Sequence, residues 1–129
     1  MKNLDQIRAS NAILASRQAI KGKDSGEVVK KVPPMIINDG LLGALAFACQ
    51  QKDSNGYVLL FQAVVIHLQS LRLYPDTAST DIRKMAEWLS AQDSARLRAL
   101  TAETLAYLSY LRRFASKEEQ DADRNDTNG

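Results

Sequence analysis

The sequence has few of the residues from which catalytic and metal sites are usually built. Its 129 residues include one cysteine, Cys49, and one histidine, His67. A zinc site made of cysteine and histidine ligands therefore cannot be assembled. An internal disulfide is also excluded, which is typical of a protein from a reducing cytoplasm. We interpret His67, which lies in the most apolar segment, as a neutral core or interface histidine, and Cys49 as a small buried hydrophobic residue.

No catalytic motif compensates for this shortage. Gly40 and Gly43 match neither spacing of the usual phosphate-binding loops. A metal-dependent nuclease would need clustered carboxylates, whereas Asp76 and Asp81 stand among threonine and serine, where helix capping explains them. We therefore predict a protein that is not an enzyme and that holds no cofactor and no metal.

Long hydrophobic runs are missing as well. The first ten residues lack the apolar segment of a secretory signal. The most apolar stretch, 57–73, contains Gln62, His67 and Gln69, and it is shorter than the roughly 20 apolar residues that a membrane span needs. We expect this stretch to form a central buried helix. The protein is expected to be soluble and cytoplasmic, with no membrane contact.

The chain does have apolar residues in helical order. Apolar residues make up 45% of it and charged residues 25%, with only six glycines and three prolines, as in an ordinary globular protein rich in helix. The apolar spacing is helical, and no strand-like alternation is present. We predict an all-α fold, in which a compact bundle of about six helices forms one domain over 1–116 and a disordered acidic C-terminal tail follows over 117–129.

Capping residues, glycine and proline give approximate helix bounds. Asn3 caps the first helix, and Ser79 or Thr80 caps the fifth. A break over 22–26 precedes the second helix, and a turn at 38–40 follows it. The predicted helices span about 3–20, a short segment with Pro33 and Pro34 in its first turn, 41–51, 57–73, about 80–89 and about 94–115.

The net charge of +2 conceals an asymmetry. The tail over 117–129 carries five acidic and two basic residues, so its net charge is −3 and that of the remainder is +5. A basic body suits an anionic partner. Charged residues that are scattered over the surface only for solvation would explain the same net charge.

The last helix separates apolar from basic side chains. At 100° per residue, its core-facing side chains fall within an arc of roughly 80°. They are Leu97, Leu100, Thr104, Leu108, Leu111 and Ala115. Arg98, Ser109, Arg112 and Arg113 project from the opposite side. These arginines suit phosphate, although arginine is also common on exposed helices and favourable near a helix C-terminus.

Basic residues occur elsewhere too. Arg17 and Lys21 share one face of the first helix, and Lys52 follows the third. Aromatic residues are sparse and lie on apolar stripes, so base stacking is not supported. Contacts to the nucleic-acid backbone should dominate if RNA is bound.

Two stretches resemble a known family, the small helical subunit of type III-B CRISPR effector complexes, the Cmr complexes. The first is VPPMIINDGLLGALAF at 32–47, with Lys52 after it. The second is RALTAETLAYL at 98–108, followed by LRRFA at 111–115. The opening DQIRA at 5–9 also fits. The order and interval of the blocks agree with the family, so the resemblance spans nearly everything except the tail.

Three positions depart from the family's pattern. Asp39 adds a charge within the turn, Leu97 replaces an aromatic residue, and Tyr110 stands where tryptophan is common. All three are compatible with the fold and bear only on details of partner contact.

The resemblance implies a role within an assembly. In this family several small subunits stack head to tail beside the subunits that carry the guide RNA, and they line the groove where target RNA lies. The implied partners are other Cmr subunits, further copies of this chain, and the duplex of guide and target RNA, while cleavage belongs to other subunits. The residues predicted to contact RNA or a partner are Arg98, Arg112 and Arg113 first, and then Arg17, Lys21, Lys52 and Arg8.

Two other classes of function remain open from the sequence. One is a helical adaptor that binds an acidic protein and never touches nucleic acid. The other is a nuclease with an unfamiliar site, for which Asp76 or Asp81 would be required. A helix-turn-helix DNA-binding protein is a weaker alternative, because no short turn joins two helices with polar, base-reading residues.

Overall fold

Five helices build the described part of the protein. The computed structural model describes the backbone of residues 2–18, 23–75 and 79–128, and the side chains of these except residues 18, 23–26 and 116–128. Within these ranges there is no strand, and the helices are α1 (Leu4–Gln18), α2 (Lys23–Cys49), α3 (Gly56–Ser70), α4 (Ile82–Ser90) and α5 (Ser94–Asn128). The all-α prediction is confirmed, whereas the count of six helices was wrong by one.

The difference in helix number arises in α2. Gly22, where the predicted break at 22–26 begins, lies outside the described residues, whereas 23–26 are helical because α2 begins at Lys23. The predicted helix start at the prolines was wrong, because α2 contains both Pro33 and Pro34. Each proline removes one backbone hydrogen bond to the preceding turn. Buried Val29, Val32 and Ile36 lie on one face of these turns, and their packing in the core offsets that loss.

The turn predicted at 38–40 is a kink within α2. Gly40 has φ 82° and ψ 163°, a combination that is essentially restricted to glycine. A Cβ atom added here would meet nothing within 4 Å. Backbone conformation, and not lack of space, therefore requires glycine.

Replacing Gly40 with alanine is expected to lower the free energy of unfolding by about 1–3 kcal/mol, because alanine must adopt a strained backbone. Urea denaturation measures the loss. Asn38→Ala, an exposed change two residues earlier, serves as the control and should stay within about 0.5 kcal/mol of the unchanged protein. Equal stabilities of the two variants would contradict the kink.

Side-chain caps fix where the helices begin. At α1 the predicted cap is confirmed, since the Gln6 N–H donates to Asn3 Oδ1 and the Asn3 N–H to Gln6 Oε1, both at 2.8 Å. At α4 the prediction of Ser79 or Thr80 was wrong. Asp81 is the cap, because its Oδ1 accepts from the backbone N–H two residues later at 2.9 Å.

The centre of the bundle is α3. Eight of its side chains are buried, among them Phe61 and Leu68, which confirms the predicted central helix. It packs against α2, α4, α5 and α1, while α5 packs chiefly against α1 and α2. The apolar face predicted for α5 is confirmed, since Leu100, Leu108 and Leu111 are each buried.

One described helix segment, Glu27–Cys49 in α2, is long and apolar enough to cross a membrane. The sequence prediction had considered only the shorter stretch at 57–73. One such helix is weak evidence, because the core helix of a soluble protein has the same length and composition. Leu41, Ala44 and Leu45 of this segment lie in the core of the bundle.

The C-terminal end of α5 departs from the prediction. We expected the helix to end near Ala115, but its backbone continues to Asn128. The disorder expected for the acidic tail stays a prediction. The segment mixes lysine, glutamate, glutamine and alanine, which favour helix, with aspartate, asparagine and threonine, which favour it less.

Candidate nucleic-acid interface

The exposed face of α5 carries the arginines that the sequence singled out. Arg98, Arg112 and Arg113 are all exposed, and at 100° per residue all three lie outside the arc of the buried leucines. Arg98 and Arg112 are fourteen positions apart, which corresponds to about 21 Å along the helix. The exposed residues between them, including Ala102 and Ser109, are small, so an elongated ligand can approach the helix closely.

The charge of this face depends on the position of one carboxylate. Over 94–115, α5 contains four arginines and a single acidic residue, Glu103. The Glu103 side chain is only 8% exposed. The exposed charges of this part of α5 are therefore all positive.

Glu103 is held inside by Arg8 of α1. The Arg8 guanidinium donates from Nε to Glu103 Oε2 at 2.8 Å and from Nη2 to Oε1 at 2.7 Å. Two parallel, charge-assisted hydrogen bonds of this kind are both strong and specific in orientation. Arg8 also pairs with the exposed Asp5 at 3.0 Å. The contact with Glu103 joins residues 95 positions apart and fixes α1 against α5.

His67 of α3 completes the network. Its Nε2 lies 2.9 Å from Glu103 Oε2, and its Nδ1 lies 2.9 Å from Asn11 Nδ2. Because an amide nitrogen can only donate, we infer that the ring proton is on Nε2 and is donated to Glu103. The ring stacks on Tyr107 with a centroid distance of 4.2 Å. The interpretation of His67 as a satisfied core histidine is confirmed.

The ionisation of the network follows from its burial and hydrogen bonds. Burial lowers the pKa of His67, and the hydrogen bond to Glu103 opposes this only in part. Burial by itself would raise the pKa of Glu103, but hydrogen bonds from Arg8 and His67 outweigh it and lower that pKa. The hydrogen bond to Glu103 raises the pKa of Arg8. A charged Arg8–Glu103 pair beside a neutral histidine results at neutral pH.

The other residues predicted to contact RNA or a partner do not lie together with the exposed arginines of α5. Arg17 is exposed on α1, and Lys52 is exposed in the loop after α2. Lys21 lies outside the described residues. The Arg8 guanidinium is hydrogen-bonded to Glu103 and its side chain is only 18% exposed, so the exposed basic face of α5 does not include it. Arg96, the remaining arginine of α5 over 94–115, lies over the Trp88 ring, 5.7 Å from its centroid.

The nuclease alternative depends on Asp76 and Asp81. Asp81 is engaged as the cap of α4, and Asp76 lies outside the described residues. In the part of the chain that the structure describes, no three histidine, cysteine, aspartate or glutamate side chains are grouped so that they could hold a metal ion.

Sequence reasoning missed the inward position of Glu103. One feature pointed to it, since a lone histidine on the most apolar helix needs a polar partner. Periodicity does not, because Glu103 lies about 60° from one edge of the apolar arc of α5, and the exposed Arg112 lies about 40° from the other edge. Nothing in the sequence identifies Arg8, because the sequence does not set which residues of α1 meet α5.

Comparisons with known proteins agree with this fold. Residues 4–118 match the family model described as CRISPR-associated protein (Cas_Cmr5). The structure is similar to the X-ray crystal structure of a CRISPR-associated Cmr5 family protein from Thermus thermophilus, with a TM-score of 0.71 and 26% sequence identity. That match covers 92% of this chain and 99% of the other. No curated protein matches the sequence.

Proposed function

Because the chain belongs to the Cmr5 family of CRISPR-associated proteins, we propose that it is a non-catalytic subunit of a type III-B interference complex and lines the target-RNA groove with the basic face of α5. The resemblance read from the sequence is confirmed. Membership implies a subunit of a CRISPR Cmr complex that associates with other Cmr subunits. Stacking in several copies, contact with RNA and action in the cytoplasm belong to the proposal.

The observation that supports RNA contact most directly is the all-positive exposed charge of α5 over 94–115. In an RNA-guided complex, base pairing with the guide selects the target, so surrounding proteins need only recognise the backbone and its shape. Arginine suits that task, because its planar guanidinium pairs with phosphate in two-pronged geometry. The contacts that we propose therefore bind RNA of any sequence.

The proposed lack of catalysis rests on the chemistry of the residues. The single histidine is buried between Asn11 and Glu103, where both ring nitrogens are occupied. Burial raises the pKa of the single cysteine, Cys49, which makes its thiolate scarce at neutral pH. Cleavage of the target is left to other subunits in this proposal.

Photochemical crosslinking tests RNA contact. We expect target RNA that carries 4-thiouridine, bound by the assembled complex and irradiated, to crosslink to α5 peptides between Arg98 and Arg113. Mass spectrometry of the digested subunit locates the crosslinks. RNA that does not match the guide is the control and should give far fewer. A subunit that stays in the complex but never crosslinks to target RNA would favour the adaptor alternative.

A further inference from the structure

An apolar groove between α1 and α3 has no charged side chain among its described lining residues. Its volume is about 210 Å³, and Leu14, Ala63 and Ile66 line it together with Asn11 and Gln62. None of the described residues around it is aspartate, glutamate, lysine or arginine. α3 contains no such residue over its whole length, Gly56–Ser70. Depletion of charge is typical of the centre of a protein interface and unsuited to a phosphate backbone.

The rim of the groove exposes hydrophobic side chains that water solvates poorly. Leu14 is 53% exposed and Ile66 is 54% exposed. They stand on neighbouring helices with the groove between them. Two half-exposed aliphatic residues that flank an uncharged depression fit a ligand with an aliphatic side chain.

The same chain presents such a side chain elsewhere. Ile37 of α2 is 71% exposed, which is more than any other large hydrophobic residue of the described chain. It precedes the kink at Gly40 and is flanked by exposed, uncharged Pro34 and Asn38. We call Ile37 the α2 knob and the depression between Leu14 and Ile66 the α1–α3 groove.

Charges beside the two surfaces are complementary. Asp39 lies two residues after the α2 knob, and Arg17 lies one helical turn after Leu14 on the groove rim. Both are exposed, and neither forms an ion pair with another described residue. An opposite-charge pair would therefore flank the knob if it entered the groove of another molecule, which favours that orientation.

We propose that the α2 knob of one copy of this chain docks into the α1–α3 groove of the next. This inference rests on the stacking proposed above and adds the surfaces that carry it. The knob and the groove are different patches on different helices, so the contact is heterologous and leaves a free knob at one end and a free groove at the other. Copies consequently add head to tail.

The test counts copies of the subunit in the assembled complex by native mass spectrometry. We expect Ile37→Ser and the double variant Leu14→Ser/Ile66→Ser each to reduce stacking to a single copy. Self-association of the purified subunit, followed by sedimentation velocity, should weaken about tenfold or more in each variant. Leu4→Ser is the control, because Leu4 is also an exposed leucine of α1 and lies outside both surfaces.

Mixing the two variants gives the sharper result. The Ile37→Ser chain keeps an intact groove, and the Leu14→Ser/Ile66→Ser chain keeps an intact knob. The mixture should therefore form dimers and nothing longer. Asp39→Arg should weaken stacking, and adding Arg17→Asp to the same chain should restore it.

The outcomes separate this inference from the proposed function. Unchanged copy number in both variants would overturn the knob-and-groove contact and leave stacking intact. A single copy in the unmodified complex would overturn stacking and the contact together. A mixture that forms no dimer would also overturn the head-to-tail contact. RNA binding through α5 is measured separately with arginine variants.

Discussion

A Cmr complex whose subunit carries Arg98→Ala, Arg112→Ala and Arg113→Ala is expected to bind target RNA about 10- to 100-fold more weakly at physiological salt. The physical reason is the loss of three exposed guanidinium groups from a face without exposed carboxylates over 94–115. Each phosphate contact releases counterions, so the slope of log affinity against log salt should become shallower by about two to three units per copy. Filter binding of labelled target RNA at several salt concentrations measures both effects.

The control for this prediction is a second pair of neighbouring basic residues. Arg83 and Lys84 are adjacent and exposed on α4, as Arg112 and Arg113 are on α5. Arg83→Ala/Lys84→Ala removes the same charge as Arg112→Ala/Arg113→Ala, and it should change RNA affinity much less. Equal losses from the two double variants would mean that net charge, and not the face of α5, attracts the RNA. Co-purification of each variant with the complex shows that assembly is intact.

Arg8→Ala is expected to lower the free energy of unfolding by about 3 kcal/mol, the largest loss that we predict for a single substitution. It leaves the Glu103 carboxylate buried, with only His67 as a partner, in surroundings that penalise an unpaired charge. This predicted loss lies at the low end of the range for breaking a buried ion pair, because the Arg8 side chain is 18% exposed. Urea denaturation followed by circular dichroism measures it.

Arg17→Ala is the matched control for that substitution. It removes the same side chain from the same helix at an exposed position and should cost at most about 0.5 kcal/mol. In the Arg8→Ala background, Glu103→Gln should recover part of the stability, because a neutral amide is cheaper to bury than a carboxylate. An Arg8→Ala variant as stable as Arg17→Ala would contradict the buried position of Glu103.

This network connects stability with the proposed interface. The bonds that hold α1 against α5 also keep the acidic side chain of Glu103 away from the exposed arginines. Arg8 and Glu103 therefore stabilise the packing of α1 on α5, and their pairing also keeps the exposed charge of α5 over 94–115 positive.

Helical periodicity and capping chemistry determined much of this protein. The spacing of the leucines in α5 predicted which face is buried and left Arg98 and Arg112 outside that face. The cap of α1 could be predicted because Asn3 and Gln6 interact within one turn. These features are local, so the order of residues is sufficient to specify them. The resemblance of two sequence blocks likewise identified the family.

At two places the helices continue past the bounds that local sequence signals predicted. Pro33 and Pro34 normally mark a helix start, but core packing of the residues on the same face carries α2 through them. At the C-terminus, the helical backbone of α5 continues to Asn128, past the end that was predicted near Ala115 where the apolar residues stop.

The tertiary structure alone decided which distant residues meet. Arg8 was predicted as a contact to RNA or a partner, and the packing of α1 on α5 turned it toward Glu103 instead, 95 positions away. The groove between α1 and α3 and the projection of Ile37 are likewise products of how helices pack. Periodicity fixes which face of a helix is buried, but the neighbour that covers this face depends on the shape of the whole core.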